Sequence, residues 1–187
     1  AESALILKTT GDPKVLLEEI SKLKERGIRP NLKISERAHV IMPYHIAMDE
    51  GLSRQQGELG AGSTKRGIAP VAADKMYRHG IRIGDLLDAN LFKEKLHTSY
   101  TFNTAIITQV FNLPFGKTEE EILTEYLNYG ERLKQYVTDT EVDLFNAYQN
   151  GKKMLFEGAQ GMSLDTDQGV YPHTTSTNNV AGYIEVG

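Results

Sequence analysis

The sequence predicts an α/β protein with a helix-rich middle and a few strands belonging to a larger sheet, and three observations point there. Residues 91–149 keep apolar side chains at helical spacing almost without interruption. Before them, short apolar or alternating runs at 5–7 and 31–42 read as strands, separated by an Asp-Pro helix start. After them, an apolar run at 153–156 leads into Glu157, Gly158 and Gly161, the way a buried strand opens into a loop.

In chain order, Leu5 to Leu7 form the first expected strand. Asp12 then caps a helix with Pro13 at its first position; Val15, Leu16, Ile20 and Leu23 make its apolar face, and Gly27 stops it. Across 31–42, Leu32, Ile34, Ala38 and Val40 alternate in part, with Arg37 and His39 expected on the opposite face. Pro43 ends that run and a helix begins at Tyr44. In it His45 and Asp49 lie four apart on one face; no third ligand stands at motif spacing, so a surface or supporting pair is expected rather than a metal site. Residues 71–79 read as a helix carrying Asp74, Lys75 and Arg78, with Lys75 and Arg78 on one face and Gly80 as the stop.

Residues 81–85 are a connector, and Asp85 or Asp88 caps the next helix. Leu91, Phe92, Leu96, Phe102, Ile106, Val110 and Phe111 carry the pattern to a break at 114–117. Thr118 and Glu121 then match a capping box, and Ile122, Tyr126, Tyr129, Leu133 and Tyr136 continue the stripe as core, not as a platform for bases. Asp139 or Thr140 starts a last helix that ends at Asn150-Gly151.

A chain of 187 residues, 40% hydrophobic and 25% charged, can bury a core. The net charge of −4 and pI near 5.8 argue against attachment to nucleic acid or an anionic membrane by bulk electrostatics, so any phosphate binding must be local. With no cysteine, disulfides, thiolate zinc sites and cysteine nucleophiles are excluded, which suits a reducing compartment. Neither a secretory signal nor a run of 18 apolar residues is present, and a cytoplasmic location is expected. Apolar residues at both ends would normally continue into neighbouring elements, so residues 1–187 are expected to be one incomplete domain.

Two polar stretches carry the chemistry. In 57–70, Gly60, Gly62 and Gly67 frame Ser63, Thr64, Lys65 and Arg66, hydroxyls and cations on permissive backbone that favour phosphate; the order of residues fails as an ATP-binding P-loop. In 157–179, Gln160 offers an amide, Thr174, Thr175, Ser176 and Thr177 offer hydroxyls, and glycines expose N–H groups. Composition alone leaves open whether each is an anion pocket or a solvated turn-rich loop. Asp165-Thr-Asp167 fails as an EF-hand, since Val170 and Ser176 stand where Gly and Glu are required, leaving a metal-binding Asp-x-Asp or turn-forming aspartates.

Phe156-Glu-Gly-Ala-Gln-Gly161, Asp165-Thr-Asp-Gln-Gly-Val-Tyr-Pro172 and Thr174-Thr-Ser-Thr-Asn178 together resemble the IMP-binding region of the adenylosuccinate synthetase family. Gly62-Ser-Thr-Lys-Arg-Gly-Ile-Ala-Pro70 is similar to that family's G-T-T-G-R-G-I-G-P segment, and the residues from Asp74 to Asp85 resemble the family's next segment. The resemblance implies an α/β enzyme that ligates IMP and L-aspartate with GTP and Mg²⁺, acting as a homodimer. It implies IMP-phosphate contacts by Thr64 and Thr175, an IMP-binding glutamine at Gln160, and an arginine at Arg78 that reaches the partner subunit's site; Ser63 and Lys75 are further candidates. Lys65 and Ala69 depart from the family's usual glycines, and Lys65 would restrict the loop.

The family's N-terminal G-D-E-G-K-G-K loop, its catalytic histidine, its aspartate-holding loop and its guanine-reading T-K-x-D segment have no counterpart in these residues. The resemblance therefore places no catalytic residue and no metal ligand here, and implies a central portion that binds IMP, forms much of a dimer interface and does not turn over alone. The alternative is a non-catalytic nucleotide-binding or interaction module on the same scaffold.

Overall fold

The computed structural model describes residues 4–7, 10–57 and 64–183. Two small parallel sheets form: β1 (Leu5–Leu7), β3 (Leu32–Ser35) and β5 (Val137–Thr138) in the order β1-β3-β5, and β2 (Thr10–Gly11) paired with β4 (His39–Val40). The register sets Leu7 beside Ile34 and Ile34 beside Val137, while Thr10 meets His39 and Gly11 meets Val40. Parallel neighbours require a crossover, and α1 (Pro13–Glu25) supplies it.

Local signals set the helix starts. Asp12 accepts from the N–H groups of Lys14 and Val15 at the head of α1, and Pro13 occupies the position where no N–H is needed. Gly27, at φ 73°, follows the helix end. α2 (Pro43–Gln56) leads, beyond 58–63, to α3 (Ile68–Tyr77). Asp88, not Asp85, caps α4 (Ala89–Ala105), whereas Asp85 accepts from the N–H of Arg82 and pairs with Lys95 at 2.7 Å. The capping box of α5 (Glu119–Leu133) forms as expected: Thr118 Oγ1 accepts from the N–H of Glu121, whose carboxylate accepts from the N–H of Thr118. Asp139 caps α6 (Thr140–Gln149).

The core lies where α4 and α5 meet α2 and the sheet strands, around Ile34, Val40, Met42, Tyr44, Ile81, Ile83, Leu86, Phe92, Leu96, Ile107, Ile122 and Leu133. The tyrosine stripe belongs to it, with Tyr126 buried and its hydroxyl donating to the carbonyl of Ile41 at 3.0 Å. Two glycines admit close approaches. A Cβ on Gly51 would lie 2.3 Å from Phe111, and one on Gly130 would lie 2.6 Å from the carbonyl oxygen of Leu86.

Several expectations are corrected. The run at 153–156 forms no strand among the described residues: it pairs with no strand of either sheet there, and Leu155 is 93% exposed. Apolar content alone cannot make a strand without an edge to pair with. Strand β5 lies at the junction between the stripe ending near Tyr136 and the last helix, where no strand is expected from the sequence; Val137 and Thr138 pair with β3 there. Helix α4 runs into a π-turn at Ile106–Val110, with the N–H of Phe111 reaching back to the carbonyl of Ile106. Arg37 and His39 do not share a wet face; His39 is buried on β4, while Arg37 is exposed and pairs with Glu141 at 2.5 Å.

Gly130→Ala should destabilise the chain by about 1–3 kcal/mol, because its methyl group meets backbone rather than a mobile side chain. Denaturant midpoints of the two proteins at equal m-value measure the difference, and an unchanged midpoint would contradict the packing described for α5.

Candidate functional site

The first candidate stretch ends where α3 begins. Ser63 lies outside the described residues, whereas Thr64 is described and exposed. Lys65 stands at φ 56°, the left-handed region. A side chain therefore occupies a conformation that glycine takes freely, at a cost of about 1–2 kcal/mol. Gly67, at φ 79°, turns the chain into α3 and lies so close to α2 that a Cβ would sit 2.9 Å from that of His45. Its N–H donates to Asp49 Oδ2 at 2.9 Å.

His45 and Asp49 are both buried, so of the two expected roles, surface pair or supporting pair, burial excludes the surface one. His45 turns to Asp74 instead. Its Nδ1 accepts from the N–H of Met42 at 3.0 Å, which leaves the proton on Nε2, donated to Asp74 Oδ2 at 2.8 Å. Asp74, on the inner face of α3 with 2% exposure, also accepts from Asn103 Nδ2 on α4 at 3.0 Å, and its Oδ1 pairs with His79 Nε2 at 2.9 Å. Burial pushes the Asp74 carboxyl up, but the hydrogen bonds from His45 and His79 outweigh it and hold it below its ordinary range. Burial pushes His45 down, opposed by Asp74.

Arg78 ends α3 at φ 69°, so it does not continue the helical face of Lys75; both side chains are exposed. The left-handed turn brings the N–H groups of His79 and Gly80 back to the carbonyl of Asp74 at 3.2 and 3.1 Å. Arg78 lines a groove of about 200 Å³ with His79, Gly80, Glu94, Lys95 and Thr98. Tyr77 and Phe102 flank the His79 ring, with centroids 5.7 and 5.0 Å away.

The second stretch is organised by Asp165, which is 0% exposed. Its Oδ1 accepts from the N–H groups of Asp167 and Gln168 at 2.9 and 3.0 Å, and its Oδ2 from those of Asn179 and Val180. Burial raises the carboxyl, but these backbone donors bring it down to about 2. Two arms of the loop are thereby joined, and the N–H of Thr175 donates to the carbonyl of Leu164 at 2.8 Å. Thr175 is half-buried and Gln160 exposed. Among the described residues no hydrogen bond or ion pair joins Thr64 or Arg78 to Gln160 or Thr175; the candidates fall into two separately organised groups.

A family model for adenylosuccinate synthetase matches residues 8–187. The chain belongs to the adenylosuccinate synthetase family. It is 48% identical over 177 residues to the adenylosuccinate synthetases of Listeria monocytogenes serotype 4a (strain HCC23) and of Geobacillus kaustophilus (strain HTA426). Each of these alignments covers 94% of this chain and 41% of the relative, so the chain spans about two-fifths of the length of the curated relatives it matches. Its fold is similar to that of a fully ligated adenylosuccinate synthetase from Plasmodium falciparum, at TM-score 0.77 and 31% identity over 94% of this chain and 41% of that one.

The family implies magnesium, and the described residues do not fit it. They hold no group of three or more His, Asp or Glu side chains placed to bind a metal ion. Both oxygens of Asp165 are engaged by backbone N–H groups, and Asp167 Oδ2 by Asn178 at 2.6 Å, so the Asp-x-Asp pair is turn structure. The residue that sequence reasoning passed over is Asp74. Its spacing three and four after Val71 and Pro70, both buried, was the available signal for an inward carboxylate.

Burial, with the charge of Arg82 next, lowers His39 from 6.5 to about 4, and His45 moves in the same direction. The fold thus favours neutral imidazoles and the unfolded chain takes up protons first. Stability is fully present above 6.5 and is lost as pH falls towards 4. Melting temperatures across that window should fall with pH, and His39→Gln should flatten the slope; equal slopes in the two proteins would refute the assignment.

Proposed function

We propose that this chain supplies the IMP-binding portion of a GTP-dependent ligase that joins IMP and L-aspartate into adenylosuccinate in purine nucleotide biosynthesis. The observation that carries the proposal is the family match over residues 8–187, which includes every candidate position. Thr64 and Thr175 offer hydroxyls to the IMP phosphate, with Ser63 beside Thr64. Gln160 offers an amide that can both donate to and accept from the purine edge. Arg78, exposed on its left-handed turn, is suited to reach a partner subunit's IMP in a homodimer, and Lys75 adds a cation nearby.

In this reading GTP transfers its γ-phosphoryl group to the purine O6, leaving GDP, and the amine of aspartate then displaces phosphate. The present residues bind and orient IMP; the catalytic groups, the metal ligands and the GTP and aspartate sites are assigned to no residue among them. Residues 1–187 then act as one part of a larger domain, in the cytoplasm, and do not turn over alone.

Isothermal titration with IMP tests the binding role. Thr64→Ala, Gln160→Ala and Arg78→Ala should each weaken binding by about tenfold, near 1.4 kcal/mol. Binding indifferent to all three would sink the proposal.

A further inference from the structure

The left-handed turn at Arg78 and the buried carboxylate one helical turn before it form one device. Asp74 uses its side chain to hold His45, His79 and Asn103, and its backbone carbonyl to receive the N–H groups of His79 and Gly80. His79 is held twice more, by its carbonyl accepting from Ser99 Oγ at 2.5 Å and by its ring resting 5.0 Å from Phe102. Arg78 sits between these fixed points at φ 69°, where a non-glycine residue persists only if its surroundings over-determine it. Through His45 the same carboxylate supports the seat of Gly67, three residues after Thr64.

We propose that Asp74, with His45 and His79, is a positioning network that fixes the direction in which Arg78 is presented. Asp74 does not itself touch the ligand. The inference rests on the IMP-binding reading for its functional consequence, while its structural half stands on the geometry alone. The chemistry explains why a carboxylate is needed. Oδ2 accepts from two donors and Oδ1 from a third, so an asparagine, with one oxygen and one amide nitrogen, loses one of these bonds or forces the facing imidazole into its other tautomer.

Two measurements on the chain test this. Amide hydrogen exchange in His79→Ala should speed up by about tenfold at residues 78–80 while Tyr126 in α5 keeps its protection; this is the signature of local opening and not of global destabilisation. His79→Gln, which returns a donor at the position of Nε2, should restore protection. Unchanged exchange at 78–80, or equal acceleration at Tyr126, would overturn the proposal without bearing on IMP.

In IMP titrations, Asp74→Asn and His79→Ala should each weaken binding by about tenfold, and His79→Ala combined with Arg78→Ala should be no weaker than Arg78→Ala alone, since both changes act through the same side chain. Multiplying effects overturn the positioning role. Arg78→Ala binding like the unaltered chain removes the assignment of Arg78, and the functional half of this inference with it. If Asp74→Asn does not fold, the half-buried His79 variants carry both measurements.

Discussion

An ionised carboxylate with 2% exposure is the constraint around which this fold closes. Removing one partner from a buried charge costs about 3–5 kcal/mol, so Asp74 is tolerable only where its donors converge. They come from α2 (His45), from the segment after α3 (His79) and from α4 (Asn103). These three places must meet at one point, and that requirement sets the geometry of α3 between them. His45 is in turn confined by the N–H of Met42, which fixes its tautomer, and by Tyr44, whose buried ring stands edge-on at 4.6 Å. The positions of α2, α3 and α4 are therefore specified by polar directionality as well as by apolar packing.

Asp165 solves the same problem differently. Its oxygens are met by backbone N–H groups from its own loop, two and three residues later at Oδ1 and fourteen and fifteen residues later at Oδ2. It joins two arms of one segment and ties no helix to another. The hydrogen bonds of 161–183 with described residues all close within that segment. Thr175 is thus ordered by its own loop, whereas Arg78 is ordered by three helices.

What could be read from the sequence divides along the same line. Asp12, Thr118 with Glu121, and Asp139 announce their helices because a cap and its N–H lie within three residues of each other. The stripe from Ile122 to Leu133 is legible for the same reason of local period. Strand β5 is not: Val137 and Thr138 are extended because Ile34 and Ser35 lie beside them, about a hundred residues earlier in the chain. The failed strand at 153–156 is the converse, a suitable run with no partner edge among the described residues. In the candidate site, hydroxyls, amide and guanidinium were visible as residue types, but the bond between His45 and Asp74 spans 29 positions and has no local signature.

The described non-glycine residues at positive φ are Lys65, Arg78 and Asn112, and the first two bracket α3. Each occupies a conformation that disfavours side chains by about 1–2 kcal/mol, so strain is concentrated at the two ends of a helix only ten residues long. Propensity cannot account for this, because relaxing either end would relieve the strain without disturbing the helix. The ends are held by tertiary contacts: Gly67 is pinned to Asp49 and seated on His45, and His79 is pinned to Ser99 on α4 and to Asp74, itself fixed by His45 and Asn103. His45 belongs to the first clamp by contact and to the second by hydrogen bond. One buried imidazole therefore couples the loop that carries Thr64 to the turn that carries Arg78, which makes the two ends of α3 a single mechanical unit.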